Sequence, residues 1–198
     1  MNKSKNSKFT VRDLINAGLF SILILVFFWC GGMIGYLPVL MPLVPLVCGF
    51  LSGVVFMLYS TRIKKFGMIL IMGIIFSIVF TLSGHGAYVG IGIVLISLIS
   101  EWILKKGEYK SVKYARLAYT VYCVISICML IPLYLSRDTY YQQLIDQGYG
   151  VEYAETLMKV LPNWSLIPIV VLGCIGGYMG STIGIKLLKK HFERAGMA

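Results

Sequence analysis

The cationic residues of this chain lie in four clusters, and long apolar stretches separate the clusters. The clusters occupy residues 3–12, 62–65, 105–116 and 186–194. Of the eighteen Lys and Arg residues, only Arg137 and Lys159 lie elsewhere. Each intervening stretch is long enough for two helical membrane crossings. Because Lys and Arg beside membrane spans stay on the cytoplasmic side, the pattern predicts six helices with both termini in the cytoplasm.

The composition supports a membrane protein rather than a soluble one. The chain is 58% hydrophobic, and its mean hydropathy is +0.83, which is far above the value of a soluble domain. The net charge of +10 could indicate nucleic-acid binding. However, the basic residues flank apolar spans and form no separate basic domain. We therefore expect contact with anionic lipid of the bilayer and no binding of nucleic acid.

The fold class predicted from these stretches is an all-α integral membrane protein. The spans are predicted at about residues 14–33, 39–59, 66–82, 87–104, 115–135 and 166–188, within a single six-helix membrane domain that covers residues 1–198. The third and fourth spans are short, and the uncharged turn at residues 83–86 makes them a tight hairpin with an outward tip. Pro42 and Pro45 predict a kinked or unwound start of the second span.

The third outer connection, residues 136–165, is about 30 residues long and carries several charges. A structureless loop of that length is uncommon, so we expect two short helices with a break at residues 148–150. Residues 151–161 are amphipathic, and Pro162 ends the pattern. The second helix is equally compatible with a lid over the outer mouth and with a plain surface helix.

The chain shows few groups that could carry chemistry. The cysteines Cys30, Cys48, Cys123, Cys128 and Cys174 lie in apolar runs without metal-ligand spacing, so we expect no metal and no cofactor. Paired acids and the motifs HExxH and GxSxG do not occur, and an enzyme is not expected. Glu101 is predicted to pair with Lys105, one helical turn later. His85, between two glycines at the hairpin tip, is either structural or a ligand contact.

Small residues mark close helix packing on two spans. On the first span, Ala17 and Ser21 are four residues apart with Gly18 beside them, and this face either packs internally or contacts a partner protein. The last span has a stripe of glycines that predicts packing inside the bundle. The stripe consists of Gly173, Gly176, Gly177, Gly180 and Gly184.

Amphipathic aromatic residues are frequent near the outer connections. They are Trp29, Tyr36, Tyr88, Tyr140, Tyr141, Tyr149, Tyr153 and Trp164. Such residues form an interfacial belt in many membrane proteins, and they also line small-molecule pockets. Both interpretations stay open, and each can hold for different residues.

Several segments, in their order and spacing, resemble the Trep_Strep family of bacterial integral membrane proteins. The segments begin with residues 8–15 and continue with Lys64-Lys65-Phe66-Gly67, Ser83-Gly84-His85, residues 151–155 and residues 189–196. The likeness covers nearly the whole chain. More broadly, the chain resembles the substrate-binding S component of an energy-coupling factor (ECF) transporter, an importer of vitamin-like or micronutrient ligands.

The resemblance implies a ligand captured at the outer face of the bacterial plasma membrane. It also implies a transmembrane coupling subunit and two cytoplasmic ATPases, on which the protein topples to release the ligand inside. By position in that fold, the ligand residues are expected to be Tyr36, His85, Tyr88, Asn163 and Trp164. The family's small-residue patch on the first span maps to Ala17, Gly18 and Ser21, with Ser21 where the family has Ala.

Two other functions stay open at the level of the sequence. One is a stand-alone small membrane transporter or structural membrane protein, which would need no ATPase. The other is an intramembrane enzyme, against which the missing catalytic pairs argue. The sequence has no P-loop motif, and a body with few charges at mid-depth fits a protein that moves in lipid. The aromatic candidate residues favour a flat or largely apolar ligand over a polyanion.

Overall fold

The long apolar runs of the sequence form the long helices of the structure, a computed structural model that describes residues 9–194 and 196. The long helices are α1 (Val11–Gly32), α2 (Val44–Ser60), α3 (Met68–Phe80), α4 (Ala87–Lys106) and α10 (Leu166–Leu187). The short helices are α5 (Val112–Tyr122), α6 (Ile125–Cys128), α7 (Ile131–Leu135), α8 (Arg137–Asp146), α9 (Val151–Val160) and α11 (Lys189–Arg194). The described residues contain no β-strand.

Five helical stretches of the described residues are long and apolar enough to cross a membrane. They are Val11–Tyr36, Pro38–Ser60, Met68–His85, Ala87–Lys106 and Asn163–Leu187. Their positions agree with five of the six predicted spans. The outward face of α4 shows the expected lipid-facing character, because Ile91, Leu95 and Ile99 are each more than half exposed.

The prediction of one continuous helix at residues 115–135 was wrong, because this segment is divided into α5, α6 and α7. Pro132 is the second residue of α7, and a proline has no backbone N–H to continue the preceding helix. At the first break, the Ser126 hydroxyl donates to the Cys123 carbonyl at 2.7 Å and so competes with the helical hydrogen bond.

The broken segment nevertheless runs antiparallel beside α10. Near its start, the Arg116 guanidinium lies 4.8 Å from the ring centroid of Tyr178. Near its end, the hydroxyls of Tyr134 and Ser165 are 2.8 Å apart. The segment therefore follows α10 from one end of the bundle to the other although its helix is interrupted.

The predicted glycine stripe of α10 is confirmed as internal packing, because all five of its glycines are buried against α2 or α5. A Cβ added at Gly176 would lie 2.8 Å from the Cα of Leu46, and one added at Gly180 would lie 2.7 Å from the carbonyl oxygen of Gly49. The two backbones thus meet without intervening side chains, the contact that small residues allow between membrane helices.

Polar contacts of acidic side chains lie at the end of the bundle that carries the basic clusters. Asp13, in the first turn of α1, forms a salt bridge with Lys65 at 2.7 Å. Glu101 is fully buried, and its carboxylate accepts hydrogen bonds from the backbone N–H groups of Ile69 at 2.6 Å and Leu70 at 3.3 Å. Glu101 therefore caps the first turn of α3, whose N–H groups have no partner within the helix.

The predicted pairing of Glu101 with Lys105 was wrong. The Lys105 ammonium lies instead over the ring of Phe66, 5.0 Å from its centroid, where the electron-rich ring face attracts a cation. The two side chains lie one turn apart on α4, but the free N–H groups of α3 are the stronger competitor for a buried carboxylate.

The outer connections follow the predicted breaks. The chain after α1 forms two short 3₁₀ turns, Met33–Tyr36 and Pro38–Leu43, so regular α-helix begins only at Val44. The hairpin between α3 and α4 turns through a single π turn, Thr81–His85, with Gly84 at φ 93°. Both predictions, the unwound start of the second span and the tight hairpin, are confirmed.

Candidate ligand site beneath the outer helices

The 136–165 connection folds into a helical hairpin of α8 and α9, which we call the outer hairpin. Gly148 and Gly150 both have φ 86°, a left-handed conformation that glycine adopts without steric cost. The predicted break between two short helices is thereby confirmed. The predicted amphipathic character of α9 is also confirmed, because Ala154 and Leu157 are buried whereas Glu152 and Glu155 are exposed.

Arg137 joins the two arms of the outer hairpin. Its guanidinium donates hydrogen bonds to the carbonyl oxygens of Met158 and Leu161, both at 2.8 Å, and to Oδ1 of Asn163 at 3.1 Å. The last carbonyls of a helix have no partner within it, and a cation there also interacts favourably with the helix dipole. The first residue of α8 thus caps the C-terminal end of α9.

The outer hairpin is hydrogen-bonded to the two other outer connections. The Tyr153 hydroxyl of α9 donates to the carbonyl of Gly35 at 2.7 Å. The side-chain amide of Gln143, on α8, donates to the carbonyl of Gly84 at 3.2 Å. Each arm therefore reaches a different neighbour, so the outer hairpin spans the outer end of the bundle between them.

Five tyrosines lie near one another at this end of the molecule, and we call them the outer tyrosine cluster. They are Tyr36, Tyr88, Tyr140, Tyr149 and Tyr153. The rings of Tyr149 and Tyr153 lie 4.9 Å apart between centroids, at an interplanar angle of 34°. The cluster combines residues from the first outer connection, the start of α4 and the outer hairpin.

Two phenols of the outer tyrosine cluster have altered acidity. Burial raises the pKa of Tyr140 to about 12, and the neighbouring Tyr149 and Tyr88 add to this effect. Burial also raises the pKa of Tyr153, with further contributions from Tyr140, Tyr149 and Tyr36. Both phenols therefore stay neutral at physiological pH, and they offer flat apolar faces together with hydroxyl groups.

The sequence-predicted ligand residues fall into two groups in the structure. Tyr36 and Tyr88 belong to the outer tyrosine cluster, and they are 68% and 51% exposed. His85 lies at the hairpin tip, beside the Gly84 that accepts from Gln143. Its Nδ1 is 3.2 Å from the Ser83 hydroxyl, and its ring meets Phe80 edge to face at 5.6 Å.

Asn163 and Trp164 lie elsewhere. Asn163 is a partner of Arg137 at the base of the outer hairpin, so its amide oxygen is used to hold α8 to α9. Trp164 is 72% exposed, as expected of an interfacial belt residue. The structure therefore brings Tyr36 and Tyr88 together with the outer hairpin and leaves these two residues outside the cluster.

Two of the three contact residues predicted on the first span are not at the surface of the bundle. Ala17 and Ser21 are fully buried, and the Ser21 hydroxyl donates to the Ala17 carbonyl at 2.6 Å. These two residues pack inside the bundle, so they offer no surface to a coupling subunit in this conformation. Of the three residues, only Gly18 lies on the side of α1 that faces away from the bundle. A Cβ added there would meet nothing within 4 Å.

Sequence reasoning missed the residues that hold the outer hairpin in place: Arg137, Gln143 and the hydroxyl of Tyr153. Arg137 was visible as one of the two cations outside the basic clusters, and its isolation was the available signal. Gln143 gave no signal, because a glutamine on a polar helix is unremarkable.

Among the described residues, no group of three or more His, Cys, Asp or Glu side chains is placed to hold a metal ion. The five cysteines are free thiols. The arrangement at the outer end can bind by stacking and by hydroxyl hydrogen bonds.

The apolar helices define a multi-pass integral membrane protein. A family model described as a hypothetical bacterial integral membrane protein, Trep_Strep, matches residues 11–194. The chain therefore belongs to the Trep_Strep family. No curated protein and no solved structure matches it.

Proposed function

We propose that the protein is the substrate-binding subunit of an ECF-type importer. It captures a vitamin-like or micronutrient molecule at the outer face of the plasma membrane, beneath the outer hairpin. A transmembrane coupling subunit and two cytoplasmic ATPases then drive its release inside. In this proposal the chain crosses the membrane six times, with the broken segment α5–α7 as the fifth crossing and both termini in the cytoplasm.

The observation that carries the proposal is that the outer hairpin brings its own tyrosines close to those of the other outer connections. Its two arms pack on the bundle through the buried residues Leu144, Ala154 and Leu157, and they bond to the other outer connections through Tyr153–Gly35 and Gln143–Gly84. The outer tyrosine cluster lies at the same end of the molecule. Tyrosine rings and hydroxyls are typical of sites that bind a small organic molecule and fix its orientation.

The side faces of the bundle are compatible with a protein that moves in lipid against a membrane partner. On α1, Leu14, Ile22 and Val26 are about half exposed and apolar, as suits a surface that meets lipid or a membrane partner. The sequence contains no P-loop, so ATP hydrolysis by that motif would have to come from another subunit.

The structure also suggests a revised contact with the coupling subunit. Leu14, Gly18, Ile22 and Val26 follow one another at four-residue spacing and share one face of α1. Gly18 makes a shallow notch in this face, and small residues let a second helix approach closely. We therefore assign the contact to this face rather than to the buried Ala17 and Ser21.

Co-purification tests the proposal. Affinity-tagged protein extracted from its native membrane under mild conditions is expected to retain a larger membrane subunit and two ATPases, and mass spectrometry should detect a small molecule at stoichiometric amounts. Purified protein that carries the molecule across liposome membranes by itself, with no ATPase present, would instead support a stand-alone transporter.

The variant Gly18→Trp tests the assigned contact. The bulky ring fills the notch, so we expect the coupling subunit and the ATPases to be lost from the purified complex while the bound small molecule stays. Ile99→Trp, on the exposed face of α4, is the matched control and should leave the complex intact. Equal losses in the two variants would contradict the assignment to α1.

A further inference from the structure

A groove lies on the surface of α4, near the end of the bundle that carries the basic clusters, and we call it the α4 groove. Its volume is about 280 Å³, and all of the residues that line it belong to α4. They are Leu98, Ile99, Trp102, Ile103 and Lys106. The groove is separate from the outer tyrosine cluster, whose residue on this helix, Tyr88, lies at the opposite end of α4.

The apolar wall of the α4 groove is accessible from outside the bundle. Ile99 and Trp102 are both more than half exposed, and the exposed face continues through Leu95, because residues three and four apart share one face of a helix. At a rise of 1.5 Å per residue, the distance along α4 from Leu95 to Lys106 is about 16 Å. Half of the hydrocarbon thickness of a bilayer is about 15 Å, so this face has the length of one leaflet.

Lys106 gives one end of the α4 groove a positive charge. Its side chain is exposed, and no described residue, including the nearby Glu108, forms an ion pair or a hydrogen bond with its ammonium group. The neighbouring Lys105 lies over the ring of Phe66, and the carboxylate of Glu101 is bonded to the start of α3. Lys106 is therefore the lining residue that can bond to an anion.

Trp102 lies one helical turn before Lys106, between the apolar wall and the cation. Tryptophan is enriched where the hydrocarbon of a bilayer meets the headgroups. A lysine stem can lie along apolar surface while its ammonium group stays in the polar region. From the middle of the bilayer outward, the α4 groove thus presents apolar side chains, an indole and a cation. An anionic phospholipid has the matching order of acyl chain, ester region and phosphate.

We propose that the α4 groove binds one anionic phospholipid, from the leaflet at the end of the bundle that carries the basic clusters. An acyl chain lies along Leu95, Ile99 and Trp102, and the ammonium group of Lys106 donates to the phosphate. An anionic headgroup is favoured over a zwitterionic one, because the cation of a zwitterionic headgroup competes with Lys106 for its own phosphate.

This site differs from the general attraction between basic clusters and an anionic membrane. The general attraction is shared among many exposed cations, whereas the α4 groove depends on one of them. The site is also independent of the proposed transport function, because it uses neither the outer tyrosine cluster nor the Gly18 face of α1.

Native mass spectrometry tests the proposal on the full chain in detergent, equilibrated with equal amounts of phosphatidylglycerol and phosphatidylcholine. We expect the wild type to retain one phosphatidylglycerol selectively. Lys106→Gln should weaken this binding by about fivefold, the effect of one lysine beside an anionic lipid. Lys110→Gln is the matched control, because Lys110 is an exposed cation of the same basic cluster and does not line the groove. It should bind phosphatidylglycerol as the wild type does.

Two results would overturn the proposal: equal losses in Lys106→Gln and Lys110→Gln, or equal retention of the two lipids by the wild type. Trp102→Ala gives a second test, because it removes part of the apolar wall at an exposed position where folding should not suffer. We expect it to weaken phosphatidylglycerol binding as well. A wild-type dimer that dissociates in Trp102→Ala, without selective lipid binding, would instead assign the α4 groove to a second copy of the chain.

Discussion

Different interactions stabilise the α2–α10 interface and the attachment of the outer hairpin. At the interface, buried glycines bring two backbones into contact over several turns. The outer hairpin is joined to the neighbouring outer connections through the side chains of Tyr153 and Gln143. The glycine contacts can be lost only if the two helices separate. An individual hydrogen bond, in contrast, contributes only about 1 kcal/mol to stability. We propose that the glycine interface is a rigid platform and that the outer hairpin is a releasable cover.

The largest loss of stability is expected from Gly180→Leu, which would disrupt the interface of α2 with α10. The new side chain would start 2.7 Å from the carbonyl oxygen of Gly49 and 2.9 Å from the Cα of Phe50, so the two helices would have to separate. Overpacking of this kind should destabilise the bundle by about 3 kcal/mol or more. Thermal unfolding in detergent measures the loss.

Gly18→Leu is the control for this variant, because the added side chain meets nothing within 4 Å at its Cβ. Its stability should match that of the wild type. A Gly180→Leu protein as stable as the Gly18→Leu protein would show that the glycine contact is not what makes the platform rigid.

A smaller and local effect is expected from Arg137→Ala, which loosens the outer hairpin itself. The substitution removes the hydrogen bonds to the carbonyls of Met158 and Leu161. Hydrogen bonds from a charged donor contribute about 1.5–3 kcal/mol, so amide hydrogen exchange in α9 should accelerate by about tenfold or more while α10 is unchanged. Lys159→Ala is the control, because Lys159 is an exposed cation on α9. Equal acceleration in both variants would contradict the capping role of Arg137.

The smallest effect is expected from Tyr153→Phe, which leaves the ring in the outer tyrosine cluster and removes one hydroxyl. Loss of the bond to Gly35 should weaken the attachment of α9 by about 1 kcal/mol. Hydrogen exchange of α9 should rise about fivefold, with no change in overall Tm. Tyr141→Phe on α8 serves as the control. An unchanged exchange rate in α9 would show that the Tyr153 bond does not hold the cover in place.

The sequence was informative where one local pattern decides the outcome. The glycine stripe of α10 predicted close packing, because only glycines at helical spacing allow two backbones to touch. The pair Gly148 and Gly150 predicted the break in the outer hairpin for a similar reason, since both need a left-handed backbone.

The sequence was less informative where the outcome depends on a neighbour distant in the chain. Glu101 could pair with Lys105 on its own helix or cap α3, and only the packing of α3 beside α4 decides between the two. Likewise, hydropathy alone could not tell which face of α1 points outward, because every face of that helix is apolar. The sequence therefore left open whether Ala17 and Ser21 pack internally or contact a partner, and the structure places both inside.

The candidate site was predictable in its residue types and not in its assembly. The outer aromatics were visible as a set, yet sequence spacing could not separate the five clustered tyrosines from an interfacial residue such as Trp164. The cluster exists because the outer hairpin folds back over the first outer connection, a contact between residues more than a hundred positions apart.

Hydrogen exchange of the unmodified protein in lipid nanodiscs tests most directly whether a releasable cover lies on a rigid platform. We expect fast exchange throughout residues 137–160 and slow exchange in α2 and α10, with the fast segment becoming protected when the native small molecule is bound. Equal protection of the outer hairpin and the α2–α10 interface in the ligand-free protein would contradict this account.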